Sequence, residues 1–338
     1  MSSTLPESEA SLEVVPLRHW GRLTGALVTL VGVAMLGHTI FSKIPSRTGQ
    51  TVCHVVNGTK SCHAVVEWRF SWNTVGSYLF DPLVMNGLWL TLQITFWAML
   101  IGITLGLVVA MMRLSHNRLM TGISWFYTWF FRGTPVYIQI LFWFAISYLY
   151  PTLSIGVPFI TVTFLHINSV TLFTPLIAGI TALGLNEAAY FSEIARAGLI
   201  SVDEGQIEAA TSIGMTPSQT MRMVILPQAM RVIIPPTGNE VISMLKTTSL
   251  VASIGVIELT GAVDEISASN FKTVPLLLVA CVWYLLCTTI LSIGQFYVER
   301  YYARGSLRTQ PPTPIQRLRE DLRGLRMRMR RRPAAVTP

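Results

Sequence analysis

The sequence predicts an all-α integral membrane protein with about six transmembrane helices. Only 12% of its 338 residues are charged, 51% are hydrophobic, and the mean hydropathy is +0.51. A soluble domain usually carries about 25% charged residues. Several long stretches also contain no Asp, Glu, Lys or Arg, and about 20 apolar residues are enough for a helix to cross a bilayer.

These uncharged stretches predict the order of the crossings. The first stretch, residues 23–42, is interpreted as a retained membrane anchor. It is longer than the apolar core of a signal peptide, and no small-residue cleavage pattern follows it. One partial crossing contains a basic residue, Lys246. The predicted crossings cover residues 23–42, 82–112, 133–186 (two crossings, with a break at 151–158), 241–257 (partial) and 273–298.

The distribution of Lys and Arg predicts the orientation in the cell membrane. With both termini in the cytoplasm, 19 of these residues lie on the inner side and 5 on the outer side, and Lys246 is left within the membrane. An excess of basic residues on the inner side is the usual rule. The predicted organisation is a cytoplasmic N-terminal segment at 1–22, an extra transmembrane helix at 23–42, an extracytoplasmic loop at 43–81, a transmembrane domain at 82–300 and a basic cytoplasmic tail at 301–338.

The formal charge of +8 is concentrated in the C-terminal tail. From Glu299 onward there are eleven Arg against three acidic residues, while the rest of the chain is balanced. A basic tail that directly follows a membrane crossing is expected to lie near the anionic lipid of the inner leaflet. Binding of RNA or DNA by this tail is the alternative, but no nucleic acid is expected as a partner.

The outer loop contains a predicted β-hairpin with a disulfide. Asn57-Gly58 is a strong signal for a two-residue hairpin turn, and counting outward from it places Cys53 opposite Cys62. Cα atoms in such a non-hydrogen-bonded pair are about 4.5 Å apart, which is within the range for a disulfide. Zinc binding by the two Cys-His pairs is the alternative, but each His points to the face opposite its neighbouring Cys. No metal site is therefore predicted.

A polar segment between two crossings, residues 197–238, predicts two short helices. Ser201 and Glu204 have the spacing of a capping box, which predicts a helix from about 202 to 213, and Gly214 suits a left-handed stop. Thr216 and Gln219 have the same capping spacing, with Pro at the first helical position, which predicts a second helix from 217 to about 226.

Three prolines, Pro227, Pro235 and Pro236, are expected to break the continuation of the second helix. The outline of helix, Gly, turn and helix also fits a DNA-binding helix-turn-helix. The second helix carries only one basic residue, Arg222, and is otherwise rich in apolar residues. This composition is poor for phosphate contacts, so DNA binding is not expected.

Eight short motifs follow one another between residues 86 and 250. They read Asn86-Gly-Leu-Trp-Leu-Thr-Leu, Phe131-Arg-Gly-Thr-Pro135, Asn186-Glu-Ala-Ala-Tyr, Glu193-Ile-Ala-Arg-Ala-Gly198, Gly205-Gln-Ile-Glu-Ala-Ala210, Ile225-Leu-Pro-Gln-Ala-Met-Arg231, Pro235-Pro-Thr-Gly-Asn239 and Leu245-Lys-Thr-Thr-Ser-Leu250. Because the motifs occur in this order and at this spacing, the chain resembles the permease subunit of ATP-binding-cassette importers. The resemblance is to the branch that takes up polar amino acids. The resemblance covers about residues 86–300.

The resemblance implies a type I importer bundle with a cytoplasmic coupling helix that docks in a cleft of a separate ATPase subunit. It implies three protein partners besides the lipid bilayer: that ATPase, a second permease subunit (identical or different) and an extracytoplasmic solute-binding protein. The chain contains no Gly-Lys dipeptide and hence no P-loop. It is therefore not expected to be an enzyme or to bind a cofactor itself, and ATP and Mg are expected in the partner ATPase. The family signature that contacts the ATPase falls on Glu208, Ala209, Ala210, Gly214, Ile225, Leu226 and Pro227.

Polar residues within the predicted crossings mark the expected substrate pathway, because such groups are costly in lipid and usually face a cavity. Lys246 is the strongest candidate, with a structural pairing or snorkelling near the inner surface as its alternative. An ion pair with Arg132 is the alternative for Glu187. A secondary amino acid transporter or channel that works without ATP is the alternative function, but neither repeated halves nor many mid-membrane charges are evident. The pathway candidates are Lys246, Thr247, Thr248, Ser249, Glu187, Glu193, Asn86 and Gln139.

Overall fold

The computed structural model describes residues 31, 35, 51–56, 59–64, 70–150, 152–156 and 163–302. The chain divides into two units, Met1–Trp72 and Asn73–Pro338. Of the predicted crossing at residues 23–42, only Val31 and Met35 lie within the described residues, and both are helical. The Arg-rich tail beyond Tyr302 lies outside them.

The first unit contains an antiparallel hairpin of strands β1 (Thr51–Val56) and β2 (Thr59–Ala64). Cys53 is paired with Cys62, and His54 with Ser61. The predicted register is thus confirmed. The turn and the cysteine side chains lie outside the described residues, so the disulfide and its zinc alternative stay predictions.

The second unit is mainly helical and contains one further hairpin, of strands β3 (Thr152–Gly156) and β4 (Thr163–Asn168). This hairpin occupies a loop for which the sequence predicted no strands. From Trp72 onward, the helices of the chain are α1 (Trp72–Tyr78), α2 (Pro82–Arg113), α3 (Arg118–Gly133), α4 (Val136–Leu149), α5 (Ser169–Leu172), α6 (Pro175–Ile200), α7 (Glu204–Ser212), α8 (Pro217–Thr220), α9 (Leu226–Thr247), α10 (Leu259–Asn270) and α11 (Thr273–Tyr302). A π-helical turn (Met221–Ile225) precedes α9 and a 3₁₀ helix (Thr248–Ile254) follows it.

Three of the helices, α2, α3 and α6, begin where a polar side chain caps a free N–H group of the first turn. Asp81 accepts a hydrogen bond of 2.9 Å from Leu83 N at the start of α2, and Asn117 accepts one of 2.9 Å from Leu119 N at the start of α3. Thr174 caps α6 in the same way. Helices α2 and α6 also have Pro in their first turn, where its missing N–H leaves no hydrogen bond unmade.

By length and composition, α2 and α11 can each cross a membrane, and the part of the chain described here offers a third crossing if Pro217–Ile254 and Leu259–Asn270, bent by 45°, are taken together. The two crossings predicted within residues 133–186 are divided differently in the structure. Helices α3 and α4 form a pair interrupted at Thr134 and Pro135, and α6 is separate. The count of six crossings stays a prediction.

A core of small and branched side chains holds α2, α4, α6 and the 3₁₀ helix together. Ile94, Ile140 and Leu183 are fully buried, and Val251 of the 3₁₀ helix packs against the same cluster. A second cluster lies toward the other end of the bundle and joins α2 to α6 and α9 through Ala110. Close packing of small residues is the usual means of helix association in lipid.

Helix α9 contains Pro235 and Pro236 in its interior, so the prediction that they break the helix is wrong. A proline inside a membrane helix is tolerated where a neighbouring helix packs against it. Here the Gln295 side chain on α11 donates a hydrogen bond of 3.1 Å to Pro235 O and another of 3.1 Å to Asn239 Oδ1. The contact ties the proline step to the last helix.

Candidate functional site

Helix α7, which carries the Glu-Ala-Ala signature, begins at a different cap from the predicted one. Asp203 is the N-cap residue, and its side chain accepts a hydrogen bond of 2.8 Å from Gly205 N. The Ser201 hydroxyl instead donates to Gly198 O, at 2.7 Å, at the end of α6. The predicted capping role of Ser201 is therefore wrong, because α6 extends to Ile200 and leaves Asp203 as the residue next to the new helix.

Gly214 ends α7 in a Schellman motif. Its φ is +82°, in the left-handed region. Gly214 N donates to Thr211 O at 3.0 Å, and Met215 N donates to Ala210 O at 3.1 Å; this is the pair of bonds that defines the motif. The predicted left-handed stop at Gly214 is confirmed, and it turns the chain sharply toward α8.

The second helix of the pair starts as predicted but does not end as predicted. Thr216 and Gln219 form a reciprocal capping box, which confirms that prediction. The chain then continues through the π-helical turn, in which Leu226 N donates to Met221 O, directly into α9. Pro227 lies in the first turn of α9, where a proline can be accommodated, so it does not break the helix.

Residues 201–225 form a polar segment that leaves the helix bundle and carries an exposed apolar residue, Ile213, at its tip. This segment is called the coupling segment below. Glu208 and Ala209 are exposed, as are Leu226 and Pro227 just beyond the segment. Ile213 is 79% exposed, which is unusual for a large apolar side chain. Ala210 is buried against its own chain, so of the two alanines only Ala209 offers the close approach that the sequence predicted. This surface can receive another protein.

A polar cavity of about 530 Å³ lies at the interruption between α3 and α4. It is bounded by these two helices, by α6 and by the middle of α9. The described residues around it include two carboxylates and one guanidinium. They are Arg132, Gly133, Thr134, Pro135, Val136, Leu183, Asn186, Glu187, Tyr190, Glu240, Ser243, Met244 and Thr247.

Glu187 is the central acid of this polar cavity. Its side chain is only 4% exposed, and its Oε1 atom has no hydrogen-bond partner among the described residues. Gly102 of α2 lies directly behind it, and a Cβ at that position would overlap the Glu187 side chain. A buried polar atom without a partner is rare and calls for an explanation; a ligand group in the cavity supplies one.

Two amide side chains hold the interruption between α3 and α4 open. Gln139 Nε2 donates to Phe131 O at 2.9 Å and to Thr134 Oγ1 at 2.7 Å. Asn186 Nδ2 also donates to Phe131 O, at 2.9 Å, and to Gln139 Oε1, at 3.3 Å. Carbonyl groups left free by the broken helix are thereby satisfied. The N-terminus of α4 has no side-chain cap and forms part of the cavity wall.

Arg132 packs on an aromatic ring and not on an acid. Its guanidinium carbon lies 5.2 Å from the centre of the Tyr190 ring, a cation–π contact. The alternative ion pair between Arg132 and Glu187 is not formed. Within the described ranges one ion pair is present, Arg196 with Glu193 at 2.8 Å. Glu193 lines a separate depression beside the polar cavity, together with Arg132 and Tyr190.

The structure brings together only some of the predicted pathway residues. Glu187 and Thr247 line the polar cavity, and Gln139 supports it from behind. Lys246 and Asn86 are exposed and lie outside its lining. Thr248 and Ser249 donate to the carbonyls of the preceding turn and do not line it.

The candidate list left out most of the lining, including four residues with charged, amide or phenol side chains: Arg132, Asn186, Tyr190 and Glu240. Three of them belong to motifs that the resemblance had already identified, so the signal was present but not used. Charge alone also pointed to Glu240, since it lies beside the predicted partial crossing.

A buried acid outside the polar cavity was also missed. Glu258 is 0% exposed and precedes α10. Its Oε1 accepts hydrogen bonds of 3.0 Å from Thr260 N and 3.0 Å from Gly261 N. Its Oε2 accepts bonds of 3.1 Å from Thr91 Oγ1 and 3.0 Å from Tyr284 OH. Four donors fully satisfy the carboxylate, which thereby joins α10 to α2 and α11.

Residues 102–304 match the protein family described as binding-protein-dependent transport system inner membrane component. The arginine transport system permease protein ArgU of Corynebacterium glutamicum is 43% identical over 300 residues, which are 88% of this chain and 85% of that protein. The glutamine transport system permease protein GlnP of Escherichia coli is 31% identical over 233 residues, 69% of this chain and 97% of that protein.

Solved structures agree with this match. An amino acid ABC transporter crystallised with histidines superposes with a TM-score of 0.58 and 32% identity, covering 69% of this chain and 100% of that one. The inward-facing methionine transporter MetNI, at 18% identity and a TM-score of 0.53, covers 70% of this chain and 100% of that one and shows the fold alone. The chain therefore belongs to the family of binding-protein-dependent transport system inner membrane components, among the permease subunits of ATP-binding-cassette amino acid importers.

Proposed function

We propose that this permease carries a polar amino acid with a cationic side chain into the cell, through the polar cavity between α3, α4, α6 and α9. The observation that carries the proposal is the buried Glu187 carboxylate with its unpartnered Oε1 atom. With Glu240 it gives the cavity two acids against one base, Arg132. A cationic group is the ligand that this balance favours.

The α-carboxylate of the same substrate also finds suitable chemistry in the polar cavity. The uncapped N-terminus of α4 presents free N–H groups and the positive end of a helix dipole. Broken helices that present such an end to an anionic substrate group are a recurring feature of transporters. Arg132 adds a full positive charge on the same wall. The cavity thus offers opposite charges for the two ends of an amino acid, and the likeness to ArgU supports a basic one.

The energy for transport comes, in this proposal, from a separate ATPase subunit that binds ATP and Mg. The coupling segment docks in a cleft of that subunit, and the exposure of Glu208 and Ile213 supports this role. An external solute-binding protein delivers the substrate, and a second permease subunit completes the complex. Both termini lie in the cytoplasm. ATP shifts the complex toward the outward-facing state because it binds the closed ATPase pair more tightly than the open one.

The substitution Glu187→Gln tests the substrate class. It keeps the size of the side chain and removes its charge, so it deletes a charge-assisted interaction of about 1.5–3 kcal/mol. In proteoliposomes that contain the complete complex, we expect uptake of arginine relative to glutamine to fall by about tenfold or more. Radiolabelled uptake of both amino acids measures this ratio.

Glu193→Gln is the matched control. Glu193 lies on the same helix but is paired with Arg196 outside the polar cavity, so its loss should leave the arginine-to-glutamine ratio unchanged. An unaltered ratio in Glu187→Gln, with normal ATP-dependent uptake, contradicts the assignment of Glu187 to a cationic group.

A further inference from the structure

A second concave surface, the basic depression, lies at the turn between α2 and α3. Its volume is about 500 Å³, and its described lining contains no acidic residue. Three basic side chains surround it, Arg113 at the end of α2, His116 in the turn and Arg118 at the start of α3. Because α3 begins here, the positive end of its dipole adds to the same field.

None of the three basic residues has an anionic partner among the described residues. The single ion pair in that part of the chain joins Arg196 to Glu193, although Arg113 and Glu193 border the same neighbouring depression. Arg113 is half-buried, so its charge has lost part of its water. Cations grouped in a concavity without an acid form a site for an anion, and phosphate is the oxyanion that an Arg pair recognises best.

The outer wall of the basic depression is aromatic. Trp125 forms part of its lining and is 52% exposed. Its ring stacks on Trp129, with centres 6.1 Å apart and planes at 8°. Further along α3, Phe126 and Phe130 are also exposed. Trp at a membrane interface places its ring at the level of the lipid headgroups, and the apolar face of α3 continues from there toward the acyl chains.

The basic depression lies at the end of the bundle that carries the coupling segment. Ala110, three residues before Arg113, packs in the cluster that contains Val202, at the start of that segment, and Ala229, just after its end. Ser124 of α3 donates a hydrogen bond of 2.9 Å to Val109 O and fixes α3 against α2. The basic groups and the coupling segment thus share one side of the protein, the side predicted to face the cytoplasm.

We propose that the basic depression is a binding site for the headgroup of an anionic phospholipid of the inner leaflet. The phosphate lies between Arg113 and Arg118, with His116 beside it, and the acyl chains follow the exposed aromatic face of α3. A phospholipid fits both parts of the site, because its phosphate can bind the cations and its two acyl chains can contact the apolar wall. Free phosphate can bind only the cations. The inference is independent of which amino acid the polar cavity carries.

Quenching of tryptophan fluorescence by brominated lipid tests this proposal. The full chain in phosphatidylcholine nanodiscs is titrated with phosphatidylglycerol that carries brominated acyl chains, and the difference between the wild type and Trp125→Phe isolates the signal of Trp125. We expect half-maximal quenching at a low mole fraction of this lipid. In the double variant Arg113→Gln, Arg118→Gln that mole fraction should rise by about tenfold or more, because both charges that hold the phosphate are removed.

Two further variants distinguish lipid binding at the basic depression from a general effect of removing positive charge. Arg222→Gln with Arg231→Gln removes the same two charges from exposed positions elsewhere in the chain and should leave the mole fraction unchanged. Arg113→Lys with Arg118→Lys keeps both charges and should retain most of the binding, which also shows that the positions tolerate substitution.

Three outcomes would overturn the proposal. One is equal quenching of Trp125 by brominated phosphatidylcholine. Another is displacement of the brominated phosphatidylglycerol by millimolar inorganic phosphate, which would assign the site to a soluble anion. The third is a double Gln variant that behaves like the Arg222 and Arg231 control.

Discussion

Glu258 shows how a carboxylate can be accommodated in the interior of this protein. Its two oxygens accept four hydrogen bonds, two from backbone N–H groups and two from hydroxyls. Two of these donors, Thr260 N and Gly261 N, belong to the first turn of α10, so the acid is also the N-cap of that helix. The same side chain therefore starts α10 and joins it to α2 and α11, at the point where the chain bends.

Replacing Glu258 by Ala should destabilise the fold by about 3 kcal/mol or more, because it removes the cap and leaves buried donors without partners. Glu265→Ala is the matched control, since Glu265 lies on the same helix and is exposed. Thermal unfolding of the detergent-solubilised chain measures both. Equal melting temperatures for the two variants would show that the hydrogen-bonded cluster contributes little.

At the scale of elements, the coupling segment depends on the backbone conformation of Gly214. A left-handed conformation costs an L-residue roughly 1–2 kcal/mol, and Asn tolerates it better than most. Nothing lies within 4 Å of a Cβ added at Gly214, so conformation and not space decides the effect of a substitution. The turn places Ile213 at the exposed tip of the segment.

The pair Gly214→Val and Gly214→Asn separates turn geometry from side-chain size. We expect Val to reduce co-purification of the ATPase subunit and ATP-dependent uptake several-fold, because it strains the turn that projects α7. Asn should stay close to the wild type. Full activity in the Val variant would mean that the ATPase does not depend on the direction of this turn.

The sequence predicted these elements unevenly, and the reasons are physical. The Asn57-Gly58 turn signal fixes a register by counting, and Gly214 has one conformational role that few other residues can fill. Pro235 stays inside α9 and contacts Gln295 of the distant helix α11, and no local pattern reveals such packing. The cap at Asp203 was missed because it depends on where α6 ends.

The polar cavity was predicted less well than the coupling segment for the same reason. Lys246 was ranked first as a charge within a partial crossing, but its position on α9 directs it away from the cavity that Thr247 lines. Which face of a helix meets a cavity is decided by packing between helices that lie far apart in the sequence.

For the whole molecule, transport is expected to require a nucleotide-hydrolysing partner, since the chain contains no P-loop. Proteoliposomes with this permease alone should show no uptake of arginine above background, and addition of the ATPase subunit, the binding protein and ATP should restore it. Replacing ATP by ADP is the control. Concentrative uptake by the permease alone would favour a secondary transporter instead.

Gly102 limits which substitutions near Glu187 can change the substrate preference of this protein. A methyl group there would overlap Glu187, so even Ala at this position would force the Glu187 side chain to move. The position behind Glu187 on α6 therefore does not accept a larger side chain. Laboratory selection for uptake of a different substrate should therefore favour substitutions elsewhere in the cavity lining. We expect them at short side chains such as Thr134, Ser243 and Thr247, where a larger residue does not displace Glu187.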